Sequence, residues 1–182
     1  MNWFLNSVKV FMVSLFLTGA STTATVPYSP KEGAIVQVSC EDGKGTAFKI
    51  TQDKYVTAKH VVVKGGCSVN GAPLTNIDLR DSKDIATFTG PFSQSWMPVS
   101  CKGFEPSKTY VATGYGLGLP QKMHMPWIST EYVLEGYRTF IGEGIPGMSG
   151  GPVINRNGEV VGIVNMRWPT RGRALSDSII CK

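Results

Sequence analysis

The sequence has 182 residues, 42% hydrophobic and 17% charged, with 21 Gly, 11 Pro and a formal net charge of +5. That apolar share can offset ordering entropy, which excludes disorder of the whole chain. The glycines and prolines follow no three-residue period, which excludes collagen, and the length allows one domain or two small lobes sharing a core. The positive charge comes with no basic helix, RNP-like aromatic set or zinc finger, so it reads as solubility and no nucleic-acid partner is expected.

Residues 1–24 contain one charge, Lys9, then an apolar run from Val10 to Leu17, then small residues with Ala20 and Ala24 as cleavage positions. This is the order of a secretory signal peptide. The competing reading is an uncleaved membrane anchor. Trp3 to Leu17 offers only 15 residues, interrupted by Asn6, Ser7 and Lys9, against the roughly 20 a spanning helix needs. On either reading the remainder is exported, to a secreted or periplasmic location. Four cysteines, Cys40, Cys67, Cys101 and Cys181, contain no C-x-x-C pair, so neither a structural zinc nor another metal is expected. In an oxidising compartment an even count suggests two disulfides with three connectivities open. Chain order favours Cys40–Cys67 and Cys101–Cys181, worth about 3.5 and 4.5 kcal/mol by loop-closure entropy.

Short alternating runs then recur every 10 to 15 residues, and helical periodicity is almost absent. Strands are predicted at Ala34–Ser39, Thr46–Ile50, Tyr55–Ala58, Ile85–Phe88, Tyr110–Thr113, Trp127–Leu134, Tyr137–Ile141, Pro152–Ile154 and Val160–Val164. Turn signals separate them, among them Asn70-Gly71, and Asn157-Gly158 between two β-branched runs marks a hairpin. Pro91–Pro106 reads as the connection between two halves. The pattern points to an all-β barrel or sandwich.

Ser149 sits in Gly147-Met148-Ser149-Gly150-Gly151-Pro152, where glycine backbone can aim consecutive N–H groups at one spot. The string also matches the G-x-S-x-G elbow of α/β-hydrolases, but that order needs a helix and then a histidine after the serine. The only histidines are His60 and His124, so the elbow is excluded. Upstream, Val56–His60 ends a predicted strand on a histidine, and Asp84-Ile85-Ala86 places an acid at the mouth of another. Asp78 and Asp81 are competitors better read as solvated turn residues. The order is His, Asp, Ser.

These strings resemble a trypsin-fold serine protease. The matching segments are Gly45-Thr46-Ala47-Phe48, Val56–His60, Asp84-Ile85-Ala86, Gly147–Pro152 and Gly158–Val164, in order, over about residues 33 to 175. The spacing is more similar to compact bacterial and viral members, including HtrA-type protease domains, than to digestive enzymes. After Lys182 no chain remains for a PDZ module, so a stand-alone protease domain is expected. The resemblance implies two six-stranded antiparallel β-barrels, residues 33–98 and 99–182, with the active site in the cleft between them.

It also implies an exported serine endopeptidase acting on a protein or peptide substrate through an acyl-enzyme, without a cofactor. His60 would be the base, Asp84 its orienting acid and Ser149 the nucleophile, with Gly147 and Ser149 N–H groups as the oxyanion hole. By the same resemblance Ile145, Pro146, Asn165, Met166, Arg167, Arg173 and Ala174 would line the first substrate pocket, and a Cys40–Cys67 bridge would brace the loop presenting His60. Two departures stand out. No I-V-G-G start exists for zymogen-type activation, and Glu143 occupies the position of the basic-specificity aspartate, so cleavage after Lys or Arg is not inferred. A catalytically inactive trypsin-fold binding protein is the alternative from another class. His124 reads as a loop residue without a role.

Overall fold

A computed structural model describes residues 33–80, 83–165 and 173–176. The segment 1–24, Asp81, Met166, Arg167, Trp168 and Cys181 lie outside these residues. The alternating runs form antiparallel strands: β1 (Ile35–Cys40), β2 (Gly43–Lys49), β3 (Lys54–Thr57), β4 (Ser68–Val69), β5 (Ala72–Pro73), β6 (Thr75–Leu79) and β7 (Ala86–Thr89). They build one sheet in the order β5-β4-β1-β2-β3-β7-β6. The second half contributes β8 (Thr109–Gly114), β9 (Met123–Leu134), β10 (Tyr137–Ile141), β11 (Pro152–Ile154), β12 (Val160–Val164) and β13 (Arg173–Ser176). These close into a six-stranded barrel, β10-β13-β12-β11-β8-β9. The fold is thus all-β in two halves. The first half has seven strands rather than six and curls without closing, with the two-residue strand β5 at one edge and β6 at the other.

Turn chemistry sets the pairings. Asn70 and Gly71 both take left-handed φ, 51° and 78°, the two-residue turn that suits a twisted hairpin, and they join β4 to β5. Glu135 and Gly136, at 52° and 80°, do the same between β9 and β10, a turn the sequence reading does not single out. His124 lies in β9 rather than a loop, with Nδ1 3.0 Å from Thr113 Oγ1; pairing of Thr113 with His124 carries the strand through it.

Three buried clusters hold the halves. Val38, Tyr55, Val62 and Phe88 fill the first sheet, while Trp127, Phe140, Met148 and Val153 fill the barrel. Trp127 is fully buried and its indole N–H donates to the Glu143 carbonyl at 2.7 Å. The third cluster spans the divide: Phe48, Val56, Ala58 and Ile85 meet Ile154, Val160 and Ile163, with Met97 of the connecting segment between them. Among the described residues, no helix is long and apolar enough to cross a membrane.

Candidate active site

The strand predicted to end on His60 stops at Thr57, and His60 lies in a one-turn helix, α1 (Lys59–Val62). Its preceding residue, Ala58, is extended and offers no side-chain cap. The orphan N–H of a first helical turn must then find an acceptor elsewhere. Asp84, just before β7, supplies it: the His60 N–H donates to Asp84 Oδ1 at 2.8 Å. The other carboxylate oxygen, Oδ2, lies 2.6 Å from His60 Nδ1. One carboxylate therefore caps the helix and fixes the imidazole plane, and with Nδ1 protonated it leaves Nε2 as the basic nitrogen. The imidazole is 44% exposed and the carboxylate 16%, so the base is open to solvent while its partner is shielded.

Asn165, immediately after β12, is buried and donates from Nδ2 to Asp84 Oδ2 at 2.6 Å. Expected on the substrate-pocket wall, it turns its side-chain amide to the acid. The other pocket expectations divide. Ile145 packs partly buried on the barrel core and its carbonyl accepts from Met148 N–H at 3.1 Å. Pro146 is exposed, with its carbonyl taking the Leu117 N–H at 2.6 Å. Arg173 and Ala174 lie in β13, paired with Thr139 and Arg138. Asp78 is held in an ion pair with Arg80 at 3.2 Å.

Ser149 is 8% exposed, in the turn between Gly147 and β11. The turn is clamped from both halves: its carbonyl accepts from Thr46 N–H at 2.9 Å, and Gly150 N–H donates to Val164 at 2.8 Å. Thr46 Oγ1 donates to the Gly147 carbonyl at 2.8 Å and accepts from Tyr115 N–H at 2.9 Å. Thr46 belongs to the matched Gly45–Phe48 string, yet nothing in that string says its hydroxyl ties the serine turn. Gly147 has φ +96°, and a Cβ there would lie 2.5 Å from the Tyr115 carbonyl, so no other residue fits. The amide N–H groups of Gly147 and Ser149 have no acceptor among the described residues. Met148, between them, is anchored in the barrel core.

The serine turn is linked to the segments that carry His60 and Asp84 through its neighbours. A Cβ on Gly150 would lie 2.7 Å from the amide nitrogen of Ala58, two residues before His60, and Gly150 bonds to Val164 beside Asn165, which bonds Asp84. Cys40 at the end of β1 is disulfide-bonded to Cys67, closing a 27-residue separation that contains α1, and Cys40 Sγ lies 3.2 Å from the Val61 carbonyl oxygen. Cys101 is disulfide-bonded as well. No cluster able to hold a metal occurs among the described residues.

No protein-family model matches the sequence, and no curated protein matches it either. Solved structures do. The chain is similar to the Mycobacterium tuberculosis protease Rv3671c in its active form, at 21% identity and TM-score 0.68, over 81% of this chain and 78% of that one. It is similar to the serine protease of human pathogenic astrovirus, at 24% identity and TM-score 0.66, over 82% and 92%. A serine endoprotease from Yersinia pestis matches at 16% identity and TM-score 0.69, over 81% of this chain and 60% of that one. The fold is that of the trypsin-like serine proteases.

Proposed function

We propose that this chain is an exported serine endopeptidase. The observation that carries the reading is the 2.6 Å contact of His60 Nδ1 with Asp84 Oδ2; beside it stands Ser149 in a turn whose N–H groups on either side of Met148 meet no acceptor among the described residues. A serine hydroxyl is a weak nucleophile until a base removes its proton. His60 Nε2 takes that proton as Ser149 Oγ attacks the substrate carbonyl, and Asp84 stabilises the imidazolium that forms. The oxyanion is received by the N–H groups of Gly147 and Ser149, an interaction for which each donor is worth about 3 kcal/mol in comparable enzymes. His60 then protonates the departing amine, leaving an acyl-enzyme on Ser149, and water completes the cycle by the same proton path.

Export is supported by the signal-like residues 1–24 and by the Cys40–Cys67 bridge, since disulfides persist in oxidising compartments. The test is a fluorophosphonate probe on the purified protein, with labelling expected at Ser149. Ser149→Ala is expected to abolish labelling and to lower peptide turnover by about six orders of magnitude while the circular dichroism stays that of the parent. A folded sample that takes no label overturns the reading in favour of a binding protein of this fold.

A further inference from the structure

An open concavity of about 310 Å³ lies beside the serine turn, lined by Lys44, Leu117, Gly118, Pro146 and Gly147. Its place relative to the chemistry follows from β2. Lys44 adjoins Gly45, where a Cβ would lie 2.5 Å from the Val61 side chain, so this part of β2 runs against the turn that carries His60. The base must reach the departing amine, so the peptide beyond the scissile bond leaves past His60 and β2. Lys44 of β2 and Gly147 of the serine turn both line the concavity, so it opens between β2 and that turn.

Two side chains there are set up to receive it. Lys44 is exposed, its ammonium contacts the neutral Gly118 carbonyl at 3.4 Å, and no carboxylate lines the concavity. Leu117 holds a left-handed backbone (φ 56°, ψ 20°) with its side chain 68% exposed. A non-glycine residue in that region is uncommon and strained. Its N–H bond to the Pro146 carbonyl fixes it beside the serine turn. Gln37 Nε2, donating to the Leu119 carbonyl at 3.1 Å, ties this segment back to the first sheet.

We propose that this concavity is a subsite for an acidic residue, glutamate in particular, within the first two positions after the scissile bond. The methylenes lie on Leu117 and the carboxylate pairs with Lys44. The inference rests on the endopeptidase reading and adds a substrate class to it.

The test takes a peptide that the protein cleaves, found by mass spectrometry of a peptide-library digest. Versions carrying Glu, Ala or Lys in the two positions after the cleaved bond are then compared. Wild-type kcat/KM is expected to rank Glu above Ala above Lys, with about a tenfold span at low salt that shrinks at about 1 M salt as exposed charges are screened. Lys44→Glu is expected to invert the ranking and Lys44→Gln to flatten it, with fluorophosphonate labelling of each variant showing that the site is folded. Equal kcat/KM on all three peptides with Ser149 labelled, or a Glu preference that survives Lys44→Glu, overturns the subsite and leaves the endopeptidase reading standing. A protein that neither takes label nor cleaves overturns both.

Discussion

The carboxylate of Asp84 accepts from the His60 main chain on one oxygen and meets His60 Nδ1 and Asn165 Nδ2 on the other. Two donors on Oδ2 fix its direction more tightly than the imidazole alone can. Asn165 touches no substrate atom in the proposed mechanism, so its contribution is to aim the acid and through it the base. Asn165→Ala is expected to lower kcat about tenfold, as loss of an outer hydrogen-bond partner does at other sites, with KM changing less than twofold. Steady-state kinetics on a cleaved peptide measures both, and an equal fall in kcat and rise in KM would instead place Asn165 on the pocket wall. The three chemistry-bearing types stand out in the sequence because each sits in a local string with few other uses. Asn165 does not, because at a strand end the facing of an amide depends on which lobe covers it. That covering is the other half of the chain, some eighty residues away.

Strands of four or more residues with an alternating or continuous apolar pattern are legible from sequence, and β1, β3, β7 and β8 are of this kind. The pattern fails for β4 and β5, which have two residues each, and for β6, which is exposed along most of its length. It also fails for α1, whose single turn depends on a carboxylate from another segment. Burial of a charge is equally invisible. Lys49 at the end of β2 is 1% exposed, donates to the Pro91 carbonyl at 2.8 Å and lies 4.9 Å from the Tyr55 ring centre. Tyr55 donates to the same carbonyl at 2.8 Å and stacks on Phe88. Burial pushes the Tyr55 phenol up to about 12 from 10.0. The folded state keeps this proton longer than the unfolded chain does, so its contribution is full below pH 10 and is lost as pH rises through about 12. Two units correspond to on the order of 2–3 kcal/mol. Burial lowers the Lys49 pKa, which works in the opposite direction as pH approaches 10.5, but it is common to wild type and variant. Tyr55→Phe keeps the stack and leaves Lys49 on the Pro91 carbonyl. It is expected to cost about 1 kcal/mol at neutral pH and to flatten the loss of stability between pH 10 and 12, measured by urea denaturation across that range. A wild-type slope unchanged in the variant would assign the alkaline loss to other groups.

The proposed site draws on both halves, through the Asn165–Asp84 and Thr46–Ser149 bonds, so its integrity would be a property of the molecule rather than of either sheet. Gly150 is one point of close approach between them. It has φ +84°, and a Cβ there would lie 2.2 Å from Thr57 Oγ1 and 2.3 Å from the Thr46 carbonyl, both on the first sheet. Backbone strain and steric overlap therefore act together, and the overlap can be relieved only by separating the serine turn from β2 and β3. Gly136, at the β9–β10 turn, has a similar φ of +80° with open space around it. A Gly136→Ala variant thus reports the cost of a left-handed alanine alone, about 1 kcal/mol. Gly150→Ala is expected to cost at least about 3 kcal/mol, the strain plus overpacking, and to lose fluorophosphonate labelling even in the fraction that remains folded. The separation of the lobes carries Ser149 away from His60 and breaks the Thr46–Ser149 bond. Urea denaturation of the two variants beside the parent measures the difference, and labelling per folded molecule measures the coupling. Equal destabilisation of both variants, with Gly150→Ala still labelled at the parental rate, would mean that the lobes yield at this contact and that the triad does not depend on how closely they approach.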